Sequence, residues 1–528
     1  MITRLKLEIY FMKKIFFFLG SLILVSSANA IIIDVTTYNV VGDGITMNTV
    51  NLQKAIDDCS ASGGGEVYFP AGKFVTGGLY LKSNVTIRLS KNAIILGSTN
   101  REVDYGNNPN ERALFYGSKI ENVGIVGEGE INGRGEAFRL GDNAGGRPLI
   151  IKFLNSRKIR VEGIYAKNSA FWTMGFFQCE NIMIDRVNIY SHANHNNDGI
   201  DIVDSRNVTI SNCIIDTDDD NICFKSESPD HIVENVTVTN CVLASSSNFI
   251  KCGTAGVGGF RNISVSNIAM HGVADDDTRF WHTKPIRVRR NGVLLSYDAG
   301  ITKPNTGVSG IALEVVDGGF MEQVSITNIV MQDIQTPLFI RRGDRTKNKE
   351  GKPGYLRDVI ISQVIATNQS RISSSITGVP GMRVENVIIK DIIFNLKGGG
   401  KVSDAEAVVH EAIRDYPESR MFGAILPSYG FYIRHADNIT FDNVQLRTHT
   451  DTEERHAVVA DDVNLLRIMN CIIEPPKSKL AVFKFNACTR TMLSNNTITV
   501  PCSALVATTN MKKEYLKMIE NNFELKKN

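Results

Sequence analysis

A short pattern, in which asparagine precedes an alternating run of β-branched residues, recurs along most of this 528-residue chain. Its copies lie roughly two to three dozen residues apart, an interval that is typical of solenoid proteins. Each copy alternates apolar and polar residues and is rich in Val, Ile and Thr, which predicts a short strand. Asn marks the corners, where a left-handed backbone costs it little. The clearest copies begin at Asn181, Asn207, Asn235, Asn262, Asn386 and Asn438.

One such unit cannot bury its apolar face alone, whereas coils stacked on one another bury their inward Ile and Val residues in a continuous core. The repeat therefore predicts an all-β fold, a parallel β-helix. A β-propeller or a β-sandwich is the rival fold, and no blade signature accompanies the single-Asn corners. Residues 48–58 have the pattern of an amphipathic helix, with Asn48 or Thr49 as its cap. We expect this short N-terminal helix to cover the first coil.

The first 30 residues have the composition of a signal peptide, with a possible start at Met12. Lys13 and Lys14 precede an apolar stretch, and Ala28 and Ala30 fit a cleavage site. The apolar stretch is too short for a membrane span, so we expect a secreted or periplasmic protein. The remainder, residues 31–528, is expected to form a single β-helix domain. The stretches 271–310, 341–356 and 396–430 break the rhythm and are predicted to be loops that project from one side.

Charge and cysteine content exclude other classes of function. The 58 basic and 56 acidic residues leave a formal net charge of +2, which argues against a nucleic-acid partner. The nine cysteines are an odd number without CxxC spacing, so a zinc site is not indicated. Cys213 and Cys241 occupy equivalent places in neighbouring repeats and are predicted to be small core residues.

Two acidic segments, residues 195–201 and 216–221, lie about one coil apart. Equivalent positions in adjacent coils are about 4.8 Å apart, which predicts that Asp198 neighbours Asp219 and Asp220. Crowded carboxylates repel, so one of them should keep its proton to a higher pH than the others. Glycoside hydrolysis needs such a protonated acid beside an ionised carboxylate. The spacing alone leaves a calcium site equally open.

At these residues the sequence resembles glycoside hydrolase family 28, the polygalacturonases and rhamnogalacturonan hydrolases. The resemblance rests on motifs along nearly the whole chain after residue 30: 41–44, 63–72, 127–133, 171–173, 196–199 and 219–226. It implies a right-handed parallel β-helix and a glycosidase that works with inversion, without a metal or another cofactor. Asp219 would be the general acid, and Asp198 and Asp220 would orient and deprotonate the attacking water.

Two departures from the family concern the substrate. Asn248 replaces the His of the family's Gly-His-Gly motif, and residues 312–314 (Ala-Leu-Glu) replace its Arg-x-Lys motif, which binds galacturonate. We therefore expect a pectic polysaccharide or oligosaccharide substrate, with rhamnogalacturonan or a branched oligosaccharide favoured over plain homogalacturonan. The protein is expected to be a monomer. The residues predicted to bind substrate are His195, Lys225, Asn248, Lys251 and Arg341.

Two other functions remain open at this point. A β-helical polysaccharide lyase would use the Asp cluster for calcium and a Lys or Arg as its base. A non-catalytic carbohydrate-binding β-helix would need none of the three aspartates.

Overall fold

The computed structural model describes residues 31–138, 146–274, 286–290, 293–303, 305–345 and 354–526. The predicted signal peptide, residues 1–30, lies outside these ranges. Within them the predicted β-helix is confirmed: the coils stack in parallel and in register, and the strands of successive coils form three long sheets. Parallel connections of this kind are right-handed in nearly all proteins, and the helix is right-handed.

The strands of the three sheets follow one another round each coil. Those confined to the first sheet are Ile31–Asp34, Gly65–Phe69, Val85–Leu89, Glu121–Gly127, Arg157–Glu162, Glu180–Asp185, Arg206–Ser211, Thr491–Ser494 and Leu516–Ile519. Those confined to the second are Asp43–Met47, Gly72–Thr76, Ala93–Gly97, Glu130–Asn132, Tyr165–Lys167, Asn188–Ser191, Ile214–Thr217, Ile472–Ile473 and Thr497–Ile498. Those confined to the third are Leu79–Tyr80, Ala113–Ser118, Leu149–Leu154, Met174–Phe177, Ile200–Val203, Ile222–Ser226, Asn248–Gly256, Gly307–Val315, Ser374–Thr377, Ala481–Asn486 and Ala504–Thr509.

Other strands run without a break round a corner of the coil. They are Val233–Ser245, Gly259–His271, Phe320–Arg342, Leu356–Asn368, Val384–Leu396, Ser428–Thr448 and His456–Met469. A separate antiparallel hairpin joins Ile286–Arg290 to Val293–Tyr297. The α-helices are Thr49–Ala61, Arg101–Asp104 and Val402–Ala405, and the 3-10 helices are Val35–Tyr38, Pro109–Glu111, Gly135–Ala137 and Lys513–Tyr515.

Asparagines form the corners between the first and second sheets and near the start of the first, as the repeat predicts. Asn207, Asn235 and Asn262 all have φ between 53° and 58°, in the left-handed region. Their side chains form a ladder along the helix: Asn235 donates to Asn207 over 3.0 Å, and Asn262 donates to Asn235 over 2.8 Å. Each corner asparagine therefore forms a side-chain hydrogen bond with the corner asparagine of the next coil, and it also adopts the left-handed backbone at little cost.

Inward side chains of successive coils lie directly above one another. Ile184, Ile210, Val238 and Val265 are register partners in the first sheet and are at most 1% exposed. They belong to one continuous apolar core that reaches from the first coil to the last. The predicted core positions of Cys213 and Cys241 are confirmed, since both are buried.

The helix Thr49–Ala61 confirms the predicted N-terminal helix. It buries Leu52, Ala55, Ile56 and Cys59 against the first coils. Asn48, at its start, does not cap it with its side chain, which instead bonds the backbone of Val41. Among the described residues, no helix has both the length and the apolar character that a membrane crossing would need.

The irregular stretches leave the coil at two different corners, so the prediction that all three project from one side was wrong. The stretches near 271–310 and 396–430 connect the second sheet to the third. The stretch near 341–356 instead connects the third sheet to the first. The sequence marks where the rhythm breaks, but it does not tell which corner the break falls on.

Candidate active site

The three predicted aspartates meet at the corner between the second and third sheets. Asp198 lies just before the strand Ile200–Val203, and Asp219 and Asp220 lie just before Ile222–Ser226. These two strands pair in register, so the turns that precede them are stacked. One carboxylate oxygen from each aspartate lies within 4.8 Å of the others.

Hydrogen bonds within the turn at 217–221 place Asp219 and Asp220 side by side. The Thr217 hydroxyl donates to the carbonyl of Asp219 over 2.8 Å. The amide of Asn221 donates to the Thr217 hydroxyl over 2.8 Å and to the Ala244 carbonyl over 2.6 Å. This network replaces regular strand geometry, which would point the two aspartates to opposite faces.

Lys225 neutralises the Asp198 side of the cluster. Its Nζ lies 3.1 Å from Asp198 Oδ2 and also contacts Asp201 Oδ1, and all three residues are at most 6% exposed. Burial raises the pKa of Asp198 to about 8 and that of Asp201 to about 7, although the Lys225 charge opposes both shifts. Two carboxyls thus share one ammonium.

Lys251 holds Asp220 in its ionised form. Its Nζ lies 2.9 Å from Asp220 Oδ2, and Asn248 donates to the other oxygen, Oδ1, over 2.7 Å. The Ser247 hydroxyl adds a bond of 3.1 Å to Oδ1. Although burial alone would raise it, the charges of Lys251 and Lys225 and these hydrogen bonds keep the pKa of Asp220 below its ordinary value.

Asp219 has no such support from a cation. In the described part of the chain its carboxylate accepts the backbone N–H of Asp220, over 3.0 Å, and forms no ion pair. Burial and the charges of Asp198 and Asp220 raise the pKa of Asp219 well above its ordinary value. Asp219 is also the most accessible of the three aspartates. The site therefore combines a partly exposed acid that favours its protonated form with an ionised carboxylate beside it.

The residues predicted to bind substrate have different surroundings. Three of them, Lys225, Lys251 and Asn248, are buried. Lys225 binds the carboxylate of Asp198, and Asn248 and Lys251 bind that of Asp220. His195 is exposed beside Asp198, and the contacts recorded for it involve its backbone.

Arg341 does not lie where the substrate prediction requires it. It is 1% exposed and donates to the backbone carbonyls of Gly378, Glu411 and Ala412 over 2.6–3.0 Å. The strand alternation points Arg341 outward correctly, but the 397–427 insertion covers it. Its guanidinium anchors that insertion rather than a sugar.

Four further residues belong to the site. Asp201 could have been found from the sequence, because it alternates with the inward Ile200 and Ile202 on the strand that follows Asp198. The ring of Trp172 lies 4.0 Å from Lys225 Nζ. Glu314, from the altered motif, is 1% exposed and close to Lys251. Tyr416 approaches Lys251 from 165 residues away in sequence, which no local pattern indicates.

The three clustered carboxylates are also the residues that could hold a metal ion. Oxygen ligands of this kind suit calcium or magnesium. However, the ammonium groups of Lys225 and Lys251 already occupy one side of Asp198 and of Asp220. A divalent cation would have to lie close to two positive charges, which makes the set a poor metal cage.

Comparison with known proteins agrees with this geometry. Residues 59–229, which include all three aspartates, match the model of glycosyl hydrolases family 28. A probable polygalacturonase of Arabidopsis thaliana is 27% identical over 377 residues, which cover 63% of this chain and 78% of the relative. An exo-poly-alpha-D-galacturonosidase of Dickeya chrysanthemi is 31% identical over 259 residues, which cover 37% of this chain but only 42% of that relative's length.

A solved structure shares the fold. The hyperthermoactive exopolygalacturonase of Thermotoga maritima superposes with a TM-score of 0.57 at 20% identity, and the match covers 78% of this chain and 92% of that one. The family resemblance indicated by the motifs is confirmed for residues 59–229, which match the glycosyl hydrolases of family 28.

Proposed function

We propose that the protein hydrolyses glycosidic bonds in a pectic polysaccharide or its oligosaccharides by an inverting acid–base mechanism. The observation that carries this proposal is the unequal environment of three adjacent carboxyls. Asp219 has no cation and a raised pKa, whereas Asp220 is ionised against Lys251. The relatives named as galacturonan-degrading enzymes support the substrate class.

In this mechanism Asp219 donates its proton to the leaving glycosidic oxygen as the bond to the anomeric carbon breaks. Asp220, ionised, accepts a proton from a water that attacks that carbon from the opposite face. Asp198 lies on the other side of the same space and orients the water. Lys225 and Lys251 keep their charges throughout and limit the repulsion among the carboxyls.

The close carboxyl spacing makes the stereochemical outcome a direct test. Inverting glycosidases commonly separate the two carboxyls by about 6.5–9.5 Å, and retaining ones by about 5–5.5 Å. Here the oxygens lie within 4.8 Å, closer than the usual inverting separation, so the proposal of inversion rests on the resemblance to family 28. Proton NMR of the first-formed reducing sugar distinguishes the two: an inverted anomer is expected, and a retained one refutes the mechanism.

We further propose attack from a chain end, because the outer face of the third sheet is covered just beyond Lys251. Ala312 and Phe339 follow Lys251 in the outward register of the next two coils. Both are buried beneath Met421 and Phe422 of the 397–427 insertion. A polysaccharide cannot continue along the sheet in that direction.

The other side of the aspartates carries aromatic side chains that suit sugar rings. Trp172 lies beside Lys225, and Tyr80, which is 42% exposed, lies in an earlier coil with its ring 5.8 Å from that of the buried Tyr116. Aromatic faces of this kind pack against the C–H surface of a sugar. We propose that the rest of the substrate lies on this side, and we expect short products of uniform size.

The decisive experiment is a substrate screen of the protein with and without EDTA, beside an Asp219→Asn variant. The substrates are homogalacturonan, rhamnogalacturonan and pectic oligosaccharides. Reducing ends that form despite EDTA and disappear in the variant would support the hydrolase. Unsaturated, ultraviolet-absorbing products that require calcium would show a lyase. Binding without cleavage that survives the Asp219 substitution would show a carbohydrate-binding protein.

Export is a separate proposal that rests on the first 30 residues. Their composition predicts cleavage after Ala30. N-terminal sequencing of protein recovered from the periplasm and the medium should begin at Ile31, and full-length protein confined to the cell interior would contradict it.

A further inference from the structure

Tyr416 belongs to the 397–427 insertion, yet its hydroxyl oxygen lies 3.2 Å from Lys251 Nζ. The same ammonium lies 2.9 Å from Asp220 Oδ2. Its ring centroid is 5.5 Å from Lys251 Nζ and 5.5 Å from the guanidinium carbon of Arg345. Two cations thus hold the ring in place, but the residue is still 55% exposed. This fixed, open tyrosine lies next to the ionised carboxylate of the site.

The direction of the Lys251 hydrogen bond determines what the phenol can do. An ammonium group has only donors, so the oxygen of Tyr416 must accept this bond. The phenol O–H is then directed elsewhere. Although the Lys251 charge and a hydrogen bond with the Thr254 side chain lower it, desolvation of the hydroxyl end and the carboxyls of Glu314 and Asp220 keep the pKa of Tyr416 above its ordinary value. The phenol therefore keeps its proton near neutral pH and can donate it in a hydrogen bond.

Glu314 makes the same region unsuitable for a uronate carboxylate. It stands where the resemblance expects a cation, is 1% exposed, and its Oε2 has no hydrogen-bond partner in the described structure. Burial raises the pKa of Glu314 well above its ordinary value, which favours its neutral form. Of the two cations beside Tyr416, Lys251 is already bound to Asp220 and Arg345 is paired with Asp317 over 3.4 Å. A sugar that lies here meets a hydroxyl donor rather than a free positive charge.

We propose that Tyr416 is a specificity-determining residue that contacts the substrate. Its O–H donates to a hydroxyl or ring oxygen of an uncharged sugar next to the scissile bond, while its oxygen holds Lys251 against Asp220. This inference rests on the proposed hydrolase function. It identifies the sugar on the insertion side of the aspartates as neutral, which also accounts for the lost Arg-x-Lys motif.

The effect on Asp220 must be judged against all the groups that face it. In the described structure, the charged or titratable groups around Asp220 are Asp198, Asp201, Asp219, Lys225, Lys251, Cys223, Glu314 and Tyr416. Tyr416 brings no charge of its own to this set. Its loss should therefore move the pH profile only through the position of Lys251, and by less than the loss of Lys251 itself.

Tyr416→Phe tests the proposal, because the variant keeps the ring between its two cations and removes only the hydroxyl. Values of kcat and KM would be measured on pectic oligosaccharides with a neutral sugar and with a uronate next to the scissile bond. We expect kcat/KM on the neutral-sugar substrate to fall about tenfold, the usual effect of one lost hydrogen bond. The ratio of kcat/KM on the neutral-sugar substrate to kcat/KM on the uronate substrate should fall by a similar factor. Tyr515→Phe, in the last 3-10 helix, is the matched control and should change nothing.

The outcomes separate the two proposals. An active wild type whose Tyr416→Phe variant keeps its kcat/KM and its preference would overturn the role of Tyr416 alone. An equal loss on both substrates, accompanied by a lower unfolding temperature, would show a merely structural role and would also overturn it. A wild type that cleaves none of the substrates would refute the hydrolase proposal, and this inference with it.

Discussion

Replacing Lys225 by Met would remove the one ammonium that Asp198 and Asp201 share. Lys225 Nζ lies 3.1 Å from Asp198 Oδ2 and contacts Asp201, and the lysine is 6% exposed. At an effective dielectric constant of about 20, opposite unit charges about 3 Å apart attract by about 5 kcal/mol. Breaking a buried ion pair typically costs about 3–5 kcal/mol, because an uncompensated charge stays behind. We expect Lys225→Met to lower the free energy of unfolding by about 3–5 kcal/mol at pH 8.

The pH dependence of that loss identifies its cause. Without Lys225 the pKa values of Asp198 and Asp201 rise further, so both carboxyls are protonated at pH 5 and no longer repel each other. Urea unfolding should therefore show a smaller loss at pH 5 than at pH 8. Adding Asp201→Asn to Lys225→Met removes the excess carboxylate and should restore more than about 0.5 kcal/mol, the minimum expected for residues in direct contact.

Two results would refute this reasoning about Lys225. One is a double-mutant cycle in which the effects of Lys225→Met and Asp201→Asn add within about 0.5 kcal/mol, the value for independent sites. The other is a loss of stability that is equal at pH 5 and pH 8. Lys484→Met is the matched control: Lys484 also points outward from the third sheet, but the described part of the chain shows no ion pair for it. Its loss should stay within about 0.5 kcal/mol.

Three further predictions follow from single contacts. The raised pKa values of Asp198 and Asp201, about 8 and about 7, mean that the folded state binds protons more tightly than the unfolded state; the urea midpoint should therefore fall as the pH rises from 6 to 9, and a midpoint that rises would contradict both shifts. Asn248→Ala removes the 2.7 Å bond to Asp220 and should shift the acidic limb of the kcat/KM profile to higher pH by about one pH unit. An unmoved limb would exclude Asp220 as the base. Asn235→Ala places alanine, which lacks the side-chain amide, in the left-handed region and should lower the free energy of unfolding by about 1–3 kcal/mol in chemical denaturation. Asn235→Gly should lower it by less, because glycine adopts this backbone conformation without strain. Equal losses would show that the side-chain ladder, and not the backbone conformation, determines the stability of the corner.

The sequence carries the fold because its signal is local and repeated. An asparagine such as Asn235 marks a left-handed corner by its own chemistry, and the alternation after it shows which side chains face the core. The juxtaposition of Asp198 with Asp219 follows from the same periodicity, since equivalent points of adjacent coils must stack. Asp201 was within reach of this reasoning, because its strand neighbours Ile200 and Ile202 face inward.

The sequence does not carry the contacts that the insertions make. The sequence assigns Arg341 to the site wrongly and misses Tyr416, and the packing of the 397–427 insertion is the cause of both errors. Strand alternation places Arg341 on the outer face, where a substrate contact is a fair expectation, but the insertion folds over it and takes its donors. Tyr416 has no periodic neighbours at all, and its approach to Lys251 depends on how the insertion packs on Phe339. Both contacts depend on the path of an irregular segment, and its sequence has no repeating pattern from which that path could be predicted.

The different protonation states of the aspartates follow from the number of charged groups at one corner of the β-helix. Four carboxyls, those of Asp198, Asp201, Asp219 and Asp220, face only two ammonium groups. Lys251 is bound to Asp220 and Lys225 to Asp198 and Asp201, so the pKa of the carboxyl without a cation, Asp219, is raised well above its ordinary value. A calcium site would need the same carboxyls to be ionised and the lysines to be elsewhere. The two lysines therefore favour acid–base catalysis over metal binding, which the spacing of the aspartates alone leaves open.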